Sequence, residues 1–253
     1  MHADRHGNGA FRRRIGVRND ARLVLAEVED EMHHFGVAIR HDGTRVTSVE
    51  GTAKRWPWST CPGAMAELAV LVGAPLGGPL SALARRASSE QCTHAFDLAC
   101  LAVCHATTGR DAVLYDAVVP DWHVPPIQAE LRRDGVVVLA WTTDGSRVLD
   151  DPAFAGADLR RGFLAWADAH LDRRGALAAS VLRRAVWLSG ARRVDLEGCD
   201  DATESGLAGG VCYTAQPARM VVALRSRGSL RDFGRDPGAP LADWTPSGRS
   251  GPG

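Results

Sequence analysis

The chain has 253 residues with 30 basic and 30 acidic side chains, so its formal net charge at pH 7 is zero. This balance argues against a nucleic-acid-binding protein, which would concentrate its basic residues, and no stretch approaches the ~20 apolar residues of a membrane span. The first residues, MHADRHGNGAFRRR, lack the apolar region of a secretory signal. We therefore expect a soluble cytoplasmic protein with no membrane or nucleic-acid partner, in which the six cysteines are reduced.

The two ends of the chain differ in composition from its middle. Residues 236–253 are rich in proline and glycine without any period, and we expect this tail and a short arm at residues 1–12 to be disordered. Residues 13–235 are long enough to bury a sizeable core as one compact domain. We expect a half with strands and cysteine-containing helices at 13–110, followed by strands and then helices at 111–235.

Alternation of apolar and polar residues predicts three strands in the first half, at residues 21–30, 33–41 and 45–55. An Asp-Gly pair between the last two strands is typical of a hairpin turn. Side chains alternate between the two faces of a strand. His33 therefore shares a face with Phe35 and Ile39, and we expect its imidazole to point into the protein.

Two cysteines are predicted at the entrances of helices. Helices are expected at residues 64–73, 79–87 and 88–107. Cys61 lies in the loop before the first of these helices. Ser88 and Gln91 have the spacing of a capping box, which would put Cys92 in the first turn of the third helix.

The second half of the chain predicts strands followed by helices. The strands are expected at residues 111–119, 127–135 and 136–145, and the helices at 158–171, 176–191 and from 217 onward. Strands in runs and helices in runs indicate an α+β fold, an antiparallel sheet with helices packed on one side. The sequence contains no GxGxxG or GxxxxGK[ST] motif, so we expect no nucleotide cofactor.

His94 and Asp97 follow Cys92 on the predicted helix. They are three residues apart and therefore neighbours on its surface, and Asp97 would orient the imidazole as carboxylates do for catalytic or metal-bound histidines. His33 would meet this helix if the helix packs on the sheet. Each residue also has a structural explanation: a buried thiol, a solvated carboxylate or a core histidine.

Five segments, in this order along residues 13–235, resemble a bacterial family of domains of unknown function, number 2889: EDEMHHFGVAIRHDG, RWPWSTCPGA, CTHAFDLA, LRRGFLAWA and VCYTAQPARMVVALRSRGSLRDF. The resemblance implies recurrent polar positions at His33, Cys61, Cys92, Thr93 and His94. Some members of the family carry glutamate where this chain has Asp97.

The order of elements is also similar to that of the iron–sulfur scaffold (NifU-like) proteins. Those proteins likewise have two strands, a cysteine loop, a helix and a cysteine at the start of a further helix. This chain lacks their Gly-Cys and Cys-x-x-Cys details, so the likeness implies a similar fold only.

Three functions fit this set of residues. The first is a zinc-dependent hydrolase or lyase acting on a small organic substrate, with metal ligands Cys61, Cys92, His33 and His94 and catalytic residues His33, Cys92, His94 and Asp97. The second is a cysteine-nucleophile hydrolase of thioesters or amides, and the third is a non-enzymatic binding or assembly protein. Whether Cys212 or an arginine of residues 160–184 joins the site is left open, as is assembly into a homo-oligomer.

Overall fold

The fold is built on a seven-stranded antiparallel sheet. The computed structural model describes Gly7, residues 9–234 and residues 240–246. The strands are β1 (Ala10–Asp20), β2 (Leu23–Asp30), β3 (His34–His41), β4 (Val46–Arg55), β5 (Ala112–Pro120), β6 (Ile127–Arg133) and β7 (Val136–Thr143). Their order in the sheet is β4-β3-β2-β1-β5-β6-β7. The predicted α+β class with an antiparallel sheet is confirmed.

Helices lie before and after the second set of strands. The α-helices are α1 (Leu80–Ala84), α2 (Thr93–His105), α3 (Phe163–His170), α4 (Arg173–Ser189) and α5 (Pro217–Met220). Shorter 3-10 segments are Cys61–Leu71, Pro152–Phe154, Gly190–Arg193 and Ala202–Ser205. Helix α2 packs against β2 and β3, and α4 packs against β5 and β6, so that each half of the sheet has its own covering helix.

Strand β1 was not predicted, although it occupies the centre of the sheet between β2 and β5. Its side chains alternate, and Phe11, Ile15 and Val17 face the core. The same face carries Arg13, which is 1% exposed and pairs with Asp30. A buried arginine interrupts the apolar pattern of the strand, which is why alternation alone did not reveal it.

The helix predicted after Cys61 is present as a 3-10 helix, which already begins at Cys61. The predicted start of the next cysteine helix was wrong. Cys92 is the N-cap of α2, with φ −73° and ψ 117°, and the first helical residue is Thr93. Ser88 does not form the predicted capping box, because its hydroxyl accepts the backbone N–H of Glu90 instead.

An irregular segment after α4, residues 190–230, packs beside the end of β2. It forms a second apolar cluster with Met32, Trp58 and Cys61, to which it contributes Leu196. Arg225 fixes this segment, since its guanidinium donates to the carbonyls of Pro57 and Leu196 at 2.9 Å each. The second cluster leaves space between itself and the main core, and this space holds the candidate site.

The predicted arm at 1–12 and tail at 236–253 fall largely outside the described residues. Strand β1 already begins at Ala10. Residues 240–246 lie on the sheet face opposite α2 and α4, where Leu241 is 5% exposed and donates its N–H to Glu29.

Candidate functional site

One cavity of about 350 Å³ brings together the residues singled out in the sequence. His33, Cys61, Cys92 and His94 all line it. They come from the turn after β2, the start of the first 3-10 segment and the start of α2. The predicted contact between His33 and the helix of His94 is therefore present.

Asp30, the last residue of β2, organises the turn at one end of this cavity. Its backbone N–H donates to the carbonyl of His33 at 2.9 Å. Its Oδ1 accepts the backbone N–H groups of Met32 and His33 at 3.0 and 2.9 Å, and it lies 3.2 Å from Nδ1 of His33. Its Oδ2 pairs with the guanidinium of Arg13. The carboxylate is thus surrounded by donors from both its own turn and the neighbouring strand.

The surroundings of Asp30 determine its charge. Burial alone would raise its pKa, but His33 and Arg13 hold that pKa well below its usual range. An ionised carboxylate only accepts hydrogen bonds, so Nδ1 of His33 carries the proton in this contact. In the neutral imidazole the lone pair is then on Nε2, the arrangement found in catalytic and metal-bound histidines.

His94 stacks on His33, with ring centroids 3.8 Å apart and planes inclined by 26°. Burial lowers the pKa of His94 well below its usual value, and the positive charges of a protonated His33 and of Arg13 lower it further. Its place in the first turn of α2 acts in the same direction, because the helix N-terminus disfavours a cation. His94 is therefore neutral at pH 7.

Asp30, His33 and His94 form a compact donor cluster. Each offers one ligand atom, and these atoms all lie within 4.8 Å of one another. Among the residues that the structure describes, no other group of three or more histidine, cysteine, aspartate or glutamate side chains meets this condition. Two histidines and one carboxylate are a common ligand set for divalent transition metals.

The cavity thiols are protonated in this arrangement. Burial raises the pKa of Cys61 to about 11, although the Thr214 hydroxyl, 3.3 Å from its sulfur, acts against this. Burial raises the pKa of Cys92 to about 12 despite the nearby backbone amides of His94 and Ala95. Neither thiol is an activated nucleophile without an additional positive charge beside it.

The structure places Asp97 away from this cluster. Its Oδ2 pairs with Nε of Arg184 at 2.5 Å, and the residue lines a separate small pocket together with Arg183. The carboxylate that contacts His33 is Asp30, which the sequence reasoning missed. Asp30 could have been identified from the sequence because it lies three residues before His33 at the end of a predicted strand. A tight turn brings residues at this spacing into contact.

Cys212 is the third thiol that lines the cavity, in a segment that closes one side of it. Leu207, Val211 and Thr214 belong to the same segment and also face the cavity. The neighbouring Tyr213 fixes its position, since the N–H of Tyr213 donates to the carbonyl of Gln91 at 2.9 Å. The arginines at 160–184 do not line this cavity.

Comparison of the sequence with protein-family profiles gives no match, and comparison with curated proteins gives no relative. The resemblance to the family of unknown function therefore remains a prediction based on its motifs. Within the described ranges, none of the helices combines the length and the apolar character that crossing a membrane requires.

Proposed function

We propose that this protein is a metal-dependent enzyme, a hydrolase or lyase that uses zinc and acts on a small organic molecule held in the cavity. The observation that supports this most is the convergence of Asp30, His33 and His94 at one end of a largely apolar cavity. Ionisable groups in such surroundings, with pKa values shifted by burial and by a specific partner, are typical of functional sites.

The chemistry of the donors fits a zinc ion. His94 is neutral and would bind a metal without losing a proton, and the neutral form of His33 offers the lone pair of its Nε2. Asp30 would supply an oxygen donor or hold His33 in position, as carboxylates do behind metal-bound histidines. Cys61 and Cys92 line the same cavity but do not belong to this cluster, so the ligands that the geometry supports are Asp30, His33 and His94.

The protein residues would contribute orientation and a dry environment. Asp30 fixes the ring of His33, and a substrate that fills the largely apolar cavity would displace water from the groups of the cluster. A bound zinc ion supplies a Lewis acid and a water molecule of lowered pKa, which is the chemistry of many hydrolases and lyases. Burial raises the pKa of all three cavity thiols, Cys61, Cys92 and Cys212, which makes this proposal stronger than the cysteine-nucleophile alternative.

Metal titration tests the proposal. Protein stripped with a chelator should bind one equivalent of Zn²⁺ in competition with a chromogenic chelator. His33→Ala and His94→Ala should each weaken binding by about 10- to 100-fold or more, the range seen even when only a residue behind a ligand is lost. His34→Ala is the matched control, because His34 neighbours His33 but bonds to Glu27. Binding of less than one equivalent, or an equal loss in all three variants, would contradict the proposal.

Cobalt substitution identifies the remaining donors. A thiolate ligand gives Co²⁺ an intense sulfur-to-metal absorption in the near ultraviolet, whereas histidine and carboxylate ligands do not. If the thiols bind, Cys61→Ser or Cys92→Ser should remove this band, and Cys104→Ser should not, since Cys104 is an equally buried thiol outside the cavity. A weak spectrum without this band would assign the site to Asp30, His33 and His94 alone.

A further inference from the structure

The walls of the cavity are mainly hydrocarbon. Met32 and Trp58 form one side and Leu196 lies beside them, while Leu207 and Val211 contribute from the closing segment. At about 350 Å³ the cavity is near the lower end of the ~300–1,000 Å³ typical of small-molecule sites. Walls of this kind bind a ligand through buried apolar surface.

Few polar side chains line the cavity: besides one compact cluster and the three cysteines, they are Ser205, Tyr213 and Thr214. Asp30, His33 and His94 form the compact cluster, and the hydroxyl of Thr214 lies against the sulfur of Cys61. A ligand that fills this space therefore meets hydrogen-bonding groups over a small part of its surface and hydrocarbon over the rest. One polar group on an otherwise apolar molecule matches this distribution.

The side-chain charges in the cavity indicate that the hydrocarbon part of the ligand is uncharged. No lysine or arginine lines the cavity in the described part of the chain, so a carboxylate or phosphate would be buried without a counter-charge anywhere except beside the proposed zinc ion. The one lining carboxylate is Asp30, whose oxygens already face Arg13, His33 and the backbone N–H of Met32. A cationic ligand would have to compete with these donors.

We infer that the substrate has an uncharged hydrocarbon body and a single oxygen-bearing polar group, and that this polar group contacts the Asp30–His33–His94 cluster. The position of the polar group rests on the proposed function, whereas the uncharged hydrocarbon body follows from the walls and the side-chain charges of the cavity alone.

Three probes of equal ring size test the inference: 2-naphthol, 2-naphthoate and 2-naphthylmethylammonium. Their binding would be measured by calorimetry at pH 7 to the zinc-free and zinc-supplemented protein. We expect 2-naphthol to bind the zinc-free protein with one-to-one stoichiometry and both ions to bind this form at least about tenfold more weakly, because an ion would be buried without a partner. Failure of 2-naphthol to bind the zinc-free protein, or equal binding of naphthol and naphthoate to it, would overturn the inference.

A charge placed on the wall provides a variant test. Val211 is 47% exposed and lines the cavity, so lysine at this position can be accommodated without burying its charge. Val211→Lys should raise the affinity for naphthoate relative to naphthol by about tenfold, since it supplies the missing cation. Val221→Lys is the matched control, because Val221 is also exposed but does not line the cavity. A gain for naphthoate no larger than that of the Val221 variant would show that the lack of a cation is not what excludes anions from the cavity and would overturn the inference.

The two proposals fail separately in these experiments. Preference for naphthol in a protein that binds no zinc would contradict the metal site and leave the substrate class standing. One equivalent of bound zinc in a protein whose zinc-free form takes naphthoate as well as naphthol would do the reverse.

Discussion

The imidazole of His33 stacks on that of His94 with ring centroids 3.8 Å apart, while its Nδ1 lies 3.2 Å from Oδ1 of Asp30. One histidine therefore has a carboxylate partner, and the other has mainly a neighbouring ring. Two stacked imidazoles repel each other when both are charged. At least one imidazole of this pair is therefore neutral at pH 7 and offers a nitrogen donor to the cavity. Substitutions of the surrounding residues test this arrangement.

Asp30→Asn should reduce the free energy of unfolding strongly. The change leaves the guanidinium of Arg13, which is 1% exposed, without its carboxylate. Loss of one partner of a buried ion pair costs about 3–5 kcal/mol. Urea unfolding at pH 7 measures this loss. Asp97→Asn is the control, because its pair with Arg184 is partly exposed and should contribute about 0–1 kcal/mol. Equal losses in the two variants would contradict the central role of Asp30.

Stability should fall as the pH is lowered below about 6.5, the ordinary pKa of histidine. Burial lowers the pKa of His94 well below this value and that of His105 to about 4. At a pH between the pKa of a histidine in the folded protein and its pKa in the unfolded chain, the unfolded chain binds more protons than the folded protein. Acid therefore favours unfolding in this pH range. Each such histidine contributes up to about 1.4 kcal/mol per pH unit in that window.

Urea unfolding between pH 5 and pH 8 checks this dependence. His94→Gln and His105→Gln should each make it shallower, since glutamine does not titrate. The two effects should add, because His105 bonds to Tyr115 at the other end of α2. A slope that His94→Gln leaves unchanged would show that His94 is not held neutral in the folded protein.

The strands other than β1 could be predicted because they consist of alternating or continuous apolar residues and two of their hairpins carry Asp-Gly pairs. Strand β1 could not, since its buried face includes Arg13. An arginine is compatible with this buried face only because Asp30 lies opposite it in β2. A pair between strands is a property of the folded sheet and leaves no local pattern in the sequence.

In the candidate site, too, the sequence predicted local positions but not contacts between distant segments. His33, Cys61, Cys92 and His94 were each identified from local position, and the structure brings all four to one cavity. Helical spacing made Asp97 a neighbour of His94, but Arg184, a residue of α4, pairs with Asp97 instead. The true carboxylate partner, Asp30, reaches His33 through a turn whose geometry the alternation of the strands did not predict.

The three cavity thiols should differ in reactivity in the absence of metal. Cys61 and Cys92 are 7% exposed and their pKa values are raised to about 11 and 12, whereas Cys212 is half-buried. Iodoacetamide at pH 8, followed by peptide mass spectrometry, should label Cys212 first and the other two only after unfolding. Rapid labelling of Cys92 at pH 7 would favour the cysteine-nucleophile alternative.

Cys92→Ser should impair metal or ligand binding more than stability. The hydroxyl keeps nearly the volume of the thiol, and burying it without a good partner costs about 1–3 kcal/mol. Cys100→Ser provides the comparison, because Cys100 is buried in the core outside the cavity and should cost a similar amount of stability with no effect on binding. If the Cys92 variant keeps its zinc stoichiometry and its affinity for the probe, Cys92 only packs in the core and does not take part in binding.

Residues 240–246 should stabilise the sheet without being needed for the fold. Trp244 lies directly over Gly16 of β1, so that a Cβ at Gly16 would be 2.1 Å from Nε1 of the indole. Removal of residues 235–253 should leave a folded protein but lower its free energy of unfolding by about 1.5–3 kcal/mol, the value of burying a side chain such as Leu241.

Gly16→Ala should displace Trp244 and reproduce part of this loss in the full chain. Gly36→Ala on β3 is the control, since its nearest neighbour would be 3.7 Å away. Urea unfolding of the three proteins decides the matter: a truncated chain as stable as the full one, or a Gly16 variant as stable as the Gly36 variant, would show that this contact contributes nothing.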